Sequence, residues 1–159
     1  MLIVADTSPI NYLVLVGIEH VLFELYGGIV VPEQVMNELR DPASPHRVAE
    51  WIAKLPTWVR IEQADVRMVP DHLGIGERAA IELATRLNAD RLLLDDREAR
   101  ALAERMGLRV AGTLAVIVDA ARAGLIDPLR VLADLQRTSF RASATLLLDV
   151  LALCQRTQD

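Results

Sequence analysis

Short, continuously apolar runs alternate along this chain with segments of helical period. Residues 2–5 (LIVA) are too short for a helix and read as a strand buried on both faces. From Ser8 the period changes: Ile10, Leu13, Val14 and Gly17 recur at three- to four-residue intervals, with Ser8 suited to the cap and Pro9 to the first helical position. A second helix is predicted over 18–26, ending at Gly27-Gly28, and IVV at 29–31 reads as the next strand. Pro32 opens a helix through Leu39, Asp41 to His46 forms a loop, and a short helix spans 47–54. The stretch 58–62 (WVRIE) reads as extended and 65–73 as irregular. Gly74-Ile75-Gly76 leads into a helix whose apolar positions are Ile75, Ala79, Ala80, Leu83, Ala84 and Leu87. Residues 91–94 form a strand ending on Asp95-Asp96, followed by a helix over 97–106 and a strand over 108–111. Gly112-Thr113 opens a helix to about Ala123, and helices over 127–136 and 142–155 close the chain.

Strands alternating with helices predict an α/β fold, three layers deep, with a mainly parallel central sheet and many helices. No repeat, low-complexity tract or linker interrupts the pattern, so residues 1–159 are expected to form a single domain. No apolar run approaches the length of about 20 residues that spans a bilayer. The first residues carry no Lys or Arg and no small-residue cleavage site, so no secretory leader is predicted and a cytoplasmic location is expected. The one cysteine, Cys154, excludes an internal disulfide and a cysteine-based zinc site. A net charge of −5 argues against a non-specific nucleic-acid binder with a basic stripe. It does not exclude an enzyme that gathers carboxylates around a cation and keeps its arginines outside.

The acids are placed for that arrangement. Ligands of open α/β sheets bind beyond the carboxyl ends of the strands. The first strand runs into Asp6 and the fourth into Asp95-Asp96. If the strands are parallel, these acids converge. Glu38 lies beside the buried face of its helix, and Glu77 lies in the first turn of a helix preceded by glycines, which admit a close neighbour. Carboxylates meeting at one edge repel one another unless a cation is present. A hard divalent cation with oxygen ligands fits, and it would serve hydrolysis of a phosphate ester by activated water. Each acid also has an ordinary reading. Asp6 fits a helix cap, Asp96 a cap for the helix at Arg97, Glu77 a dipole partner, and Glu38 a solvated residue paired to Arg40 or Lys54. His20, His46 and His72 are scattered with no ligand spacing. Arg97 and Arg100 flank the acids at helical spacing and suit either a phosphate or ion pairs with Glu98, Glu104 or the acids themselves.

The stretches VADTSPI, VPEQVMNEL, LGIGERAAIELA and LLLDDREARALAERMGLRVAGTLAVI, in this order over residues 2 to about 126, resemble the PIN-domain family, in particular its toxin ribonuclease and related branches. The resemblance implies that Asp6, Glu38, Glu77 and one or both of Asp95 and Asp96 hold one or two Mg²⁺ or Mn²⁺ ions; Asp95, which ends the strand directly, is the first choice of the pair. It implies that Thr7 and Ser8 order water or substrate. It also implies a divalent-metal-dependent endoribonuclease, the toxin half of a type II toxin–antitoxin pair, with RNA as substrate, a protein antitoxin and a homodimer as partners, and no membrane. The rival reading is a PIN-like binding module with little nuclease activity. One position departs from the family pattern: Leu93 and Leu94 stand where many members carry Thr or Ser shortly before the last acid.

Overall fold

The computed structural model describes residues 1–156, so residues 157–159 of the expected domain lie outside the described residues. Its strands are β1 (Ile3–Ala5), β2 (Ile29–Pro32), β3 (Val59–Glu62), β4 (Arg91–Leu93) and β5 (Val110–Ala111). They form one parallel sheet in the order β3-β2-β1-β4-β5. The chain therefore starts at the centre, winds outward through β2 to β3, and returns past β1 to build β4 and β5 on the other side. The point of reversal lies between β1 and β4, where Val4 pairs with Leu92 and Ala5 with Leu93.

The alternation of side chains along each strand assigns the helices to layers. Ile3, Ala5, Ile29, Val31, Leu93 and Ala111 face one core. Packed there are α1 (Thr7–Leu15), α2 (Val21–Tyr26), α3 (Glu33–Leu39), α7 (Thr113–Arg122), α8 (Pro128–Gln136) and α9 (Ala144–Gln155), with Val48 of α4 (His46–Ala53). Val4, Val30, Leu92 and Leu94 face the opposite core, covered by α5 (Ile75–Arg86) and α6 (Arg97–Arg105). Helices on both faces explain why the strands are apolar throughout instead of alternating. Leu93 and Leu94, both fully buried, serve one core each, which is why neither position carries a hydroxyl.

Three boundaries differ from expectation. The first helix begins at Thr7, not after a Ser8 cap: the Asp6 amide still donates to Leu93 O (2.9 Å), so the ladder runs to Asp6 and the helix starts immediately after it. Pro9 is accommodated because the first-turn amides have no intrahelical acceptor to lose. The second helix begins at Val21; Ile18 to His20 form a turn with i to i+3 bonds, Val21 N to Ile18 O and Leu22 N to Glu19 O. Pro32 ends β2, pairing with Glu62, and only then precedes α3; its ψ of 147° keeps it extended.

Candidate metal centre

Asp6 follows β1 directly and stands at the reversal point. Its backbone is extended, its side chain makes no capping bond, and it is 2% exposed. Oδ1 is buried with no hydrogen-bond partner. Burial raises its pKa well above the ordinary aspartate range, and the nearby charge of Glu77 adds to this; the Thr7 amide opposes, while Glu38 and Asp95 push further up. The cap position belongs to Asp6 in backbone terms alone, because its carboxylate makes no capping bond.

Glu38 sits near the end of α3, on a helix whose Val35, Met36 and Leu39 enter the core. Its carboxylate bridges two helix starts. The Thr7 hydroxyl donates to Oε2, and the Gly76 amide donates to Oε1 at 3.0 Å. This replaces the expected pairing with Arg40 or Lys54; Arg40 instead lies 3.4 Å from Glu33. The approach is so close that a Cβ on Gly76 would lie 2.5 Å from Glu38 Oε2. The glycine before Glu77 thus makes room for a carboxylate of the same chain, not for a substrate.

Glu77 occupies the first turn of α5 and bends back over its own amide and Gly74. Its pKa is raised, by burial first; its own amide lowers it, and Glu38 and Asp96 raise it again. Asp95, one residue past Leu94, accepts both the amide and the hydroxyl of Thr113, each at 2.7 Å. Burial raises its pKa against those two bonds and against Arg100. Thr113 is fully buried and thereby supplies, from the end of β5, a hydroxyl that the β4 sequence lacks. It went unrecognised in the sequence as a partner of the acids; the signal for it is a hydroxyl directly after a strand and at the start of an apolar helix. Asp96 accepts from Ala99 N at 2.8 Å and caps α6, a bond that contributes about 1 kcal/mol to the helix. The pair divides accordingly: Asp95 faces Asp6, and Asp96 caps the helix while standing near Glu77.

Four carboxylates from four segments therefore share one edge, with Asp96 beside them. As oriented, Glu38, Asp95 and Glu77 are each turned to their own donors, and Asp6 keeps one oxygen unpartnered. Among the described residues no three acidic, histidine or cysteine side chains converge closely enough to hold an ion. The donor set nevertheless fits a hard divalent cation. It consists entirely of oxygens, one of them buried and unpartnered, and burial, with mutual repulsion added to it, already raises the pKa of Asp6 and Glu77. A cation here competes with Thr113 and the first amides of α5 for the same carboxylates.

A cleft of about 880 Å³ opens from this edge. Ser8, Glu77, Asp95 and Asp96 border it at the acidic end, and Arg97 and Arg100 of α6 form one wall. Among the described residues neither arginine makes an ion pair with Glu98 or Glu104; Glu98 lies 3.2 Å from His72. Arg100 instead reaches over Gly112 beside Asp95: a Cβ on Gly112 would lie 2.7 Å from the guanidinium and 2.8 Å from Asp95 Oδ1. Thr7 does not border the cleft but braces Glu38.

A parallel sheet wound both ways from its first strand, with carboxylates gathered at the reversal, defines a doubly wound α/β protein whose candidate site lies at the switch point. A family model described as PIN domain matches residues 2–156, and the chain belongs to the PIN-domain family. Members are generally nucleases and typically use divalent metals. No curated protein matches the sequence closely enough to count as a relative. No helix among the described residues is long and apolar enough to cross a membrane.

Proposed function

We propose that this protein is a divalent-metal-dependent endoribonuclease and the toxin component of a type II toxin–antitoxin pair. The observation that carries the reading is Asp6: a buried carboxylate with an unpartnered oxygen, placed among Glu38, Glu77 and Asp95, is costly unless a cation neutralises it. These four residues would hold a Mg²⁺ or Mn²⁺ ion, with Asp96 next to them. When bound, such an ion acidifies a water and neutralises charge developing on a phosphodiester. Thr7 and the Gly76 amide keep Glu38 in place, Thr113 keeps Asp95 in place, and Arg100 offers a cation to the phosphate beside Asp95.

The rival reading, a binding module of the same fold with little activity, is favoured by one observation: the acids do not converge to ion-holding distance as oriented. Calorimetric titration with Mn²⁺ decides between them. The enzyme reading expects saturable binding by the wild type, loss of binding in Asp6→Asn, and cleavage of single-stranded RNA that chelation abolishes. A wild type that binds no Mn²⁺ leaves the binding module.

Partners are proposed on the C-terminal helices. Leu129 of α8 and Leu148 of α9 are 61% and 67% exposed, apolar surface that a second copy or an antitoxin segment would cover. The expected result is a solution mass above that of one chain by light scattering, or a small protein co-purifying from its native host. A lone monomer in both measurements counts against this part.

A further inference from the structure

The cleft has a second wall that no reading of the acids predicts. It is built by Ser139, Phe140 and Arg141, in the loop between α8 and α9, together with Tyr12 of α1. Tyr12 and Phe140 form an edge-to-face pair, centroids 5.0 Å apart and planes at 85°. Both are only partly buried and both border the cleft. A perpendicular pair covers one ring face with the other ring's edge and leaves further π surface for a third flat group.

The wall is preformed. The Thr138 hydroxyl donates to Leu135 O (2.6 Å) and accepts from Phe140 N (3.1 Å), which fixes the loop. Tyr12 Oη and Ser139 Oγ lie 3.0 Å apart and tie the loop to α1, whose first turn carries Thr7 and follows Asp6. Arg141 lies in this loop and borders the same cleft as Arg97 and Arg100. Among the described residues none of the three has a carboxylate within ion-pair distance. Aromatic rings and arginines bordering one groove are how proteins hold single strands: the bases stack and the phosphates meet cations.

We infer that Tyr12 and Phe140 form a base-stacking subsite for a single-stranded RNA, with Arg97, Arg100 and Arg141 holding the adjoining phosphates. This rests on the nuclease reading for the sugar and for the direction of the strand toward the acids. A base paired inside a duplex keeps its faces covered and cannot enter, so the subsite selects unpaired RNA.

Fluorescence anisotropy with a short 5′-labelled single-stranded RNA tests this in an Asp6→Asn background, where binding is read without turnover. Phe140→Leu and Tyr12→Leu are each expected to weaken binding by on the order of tenfold or more. Arg141→Gln is expected to reduce the salt dependence of binding by about one phosphate contact. Duplex RNA of the same sequence is expected to bind weakly and equally to the parent and both aromatic variants. Aromatic variants that bind the single strand within twofold of the parent overturn the inference, as does tighter binding of the corresponding single-stranded DNA. Calorimetry with Mn²⁺ on otherwise wild-type Phe140→Leu serves as the folding control and is expected to match the wild type. Mn²⁺ binding without aromatic dependence of RNA affinity ends the subsite alone. RNA binding with aromatic dependence but no Mn²⁺ binding ends the hydrolase reading alone.

Discussion

Asp6→Asn is expected to abolish Mn²⁺ binding, lower kcat/KM by on the order of a thousandfold, and yet make the metal-free protein more stable. The two effects have one cause. Asp6 is buried, its Oδ1 has no partner, and the charges of Glu77, Glu38 and Asp95 bear on it. Asparagine keeps the shape, removes the charge, and brings an amide donor to a place surrounded by acceptors. Relief of an unsatisfied buried polar group is worth about 1–3 kcal/mol, and each kcal/mol moves Tm by about 2–4 °C in a chain of this size. The comparison is made by thermal unfolding in chelator. In the wild type, added Mn²⁺ should raise Tm; in the variant it should not. A variant that is less stable than wild type in chelator, or that still gains from Mn²⁺, removes the basis for placing the ion at Asp6.

The same groups set the pH dependence. Asp6, Asp95 and Glu77 all have folded-state pKa values raised above those of the unfolded chain. Between the two values the folded state binds more protons, so stability in chelator is highest at the acid end of that window. It falls as pH rises through the folded-state values. The slope should flatten in Asp6→Asn.

What could be read from the chain alone follows from how local each cause is. LIVA, IVV and LLL declare themselves as strands because two helix layers leave no polar face on them. Asp6, Glu38 and Asp95 were legible as a group because each follows a strand or lies on a helix leaving one, and parallel strands bring those ends together; Glu77 was legible from its place in the first turn of a helix preceded by glycines. The start of the first helix was misplaced because its cause is a hydrogen bond from Asp6 to Leu93, far along the chain. Thr113 reads in the sequence as a helix start and not as a partner of Asp95, since that contact depends on β5 lying beside β4. The wall of Tyr12, Phe140 and Arg141 left no periodic signal at all; it exists because the loop before α9 returns over the cleft that α1 and α6 border.

Gly76→Ala is expected to disable the site without removing a single carboxylate. Gly76 lies in the first turn of α5 with no positive φ, so alanine is conformationally welcome there and improves helix propensity by about 1 kcal/mol. The obstacle is Glu38. The new methyl would lie 2.5 Å from its Oε2, 2.7 Å from Oε1 and 2.8 Å from Cδ. Glu38 cannot retreat freely, because its two oxygens are held by the Thr7 hydroxyl and the Gly76 amide itself. Either both bonds break or the start of α5, with Glu77 on it, is pushed away. Displacements near 1 Å in such a centre cost about a hundredfold in rate. Mn²⁺ affinity and RNA cleavage should therefore fall together by about that factor, while Tm stays within a few degrees of wild type. Gly124→Ala provides the opposite pattern. Its φ of +74° penalises any side chain although nothing lies within 4 Å, so it should lower stability by about 1 kcal/mol and leave cleavage intact. Full activity in Gly76→Ala would mean that Glu38 is free to move or is not needed, and the four-carboxylate centre would reduce to Asp6, Glu77 and Asp95.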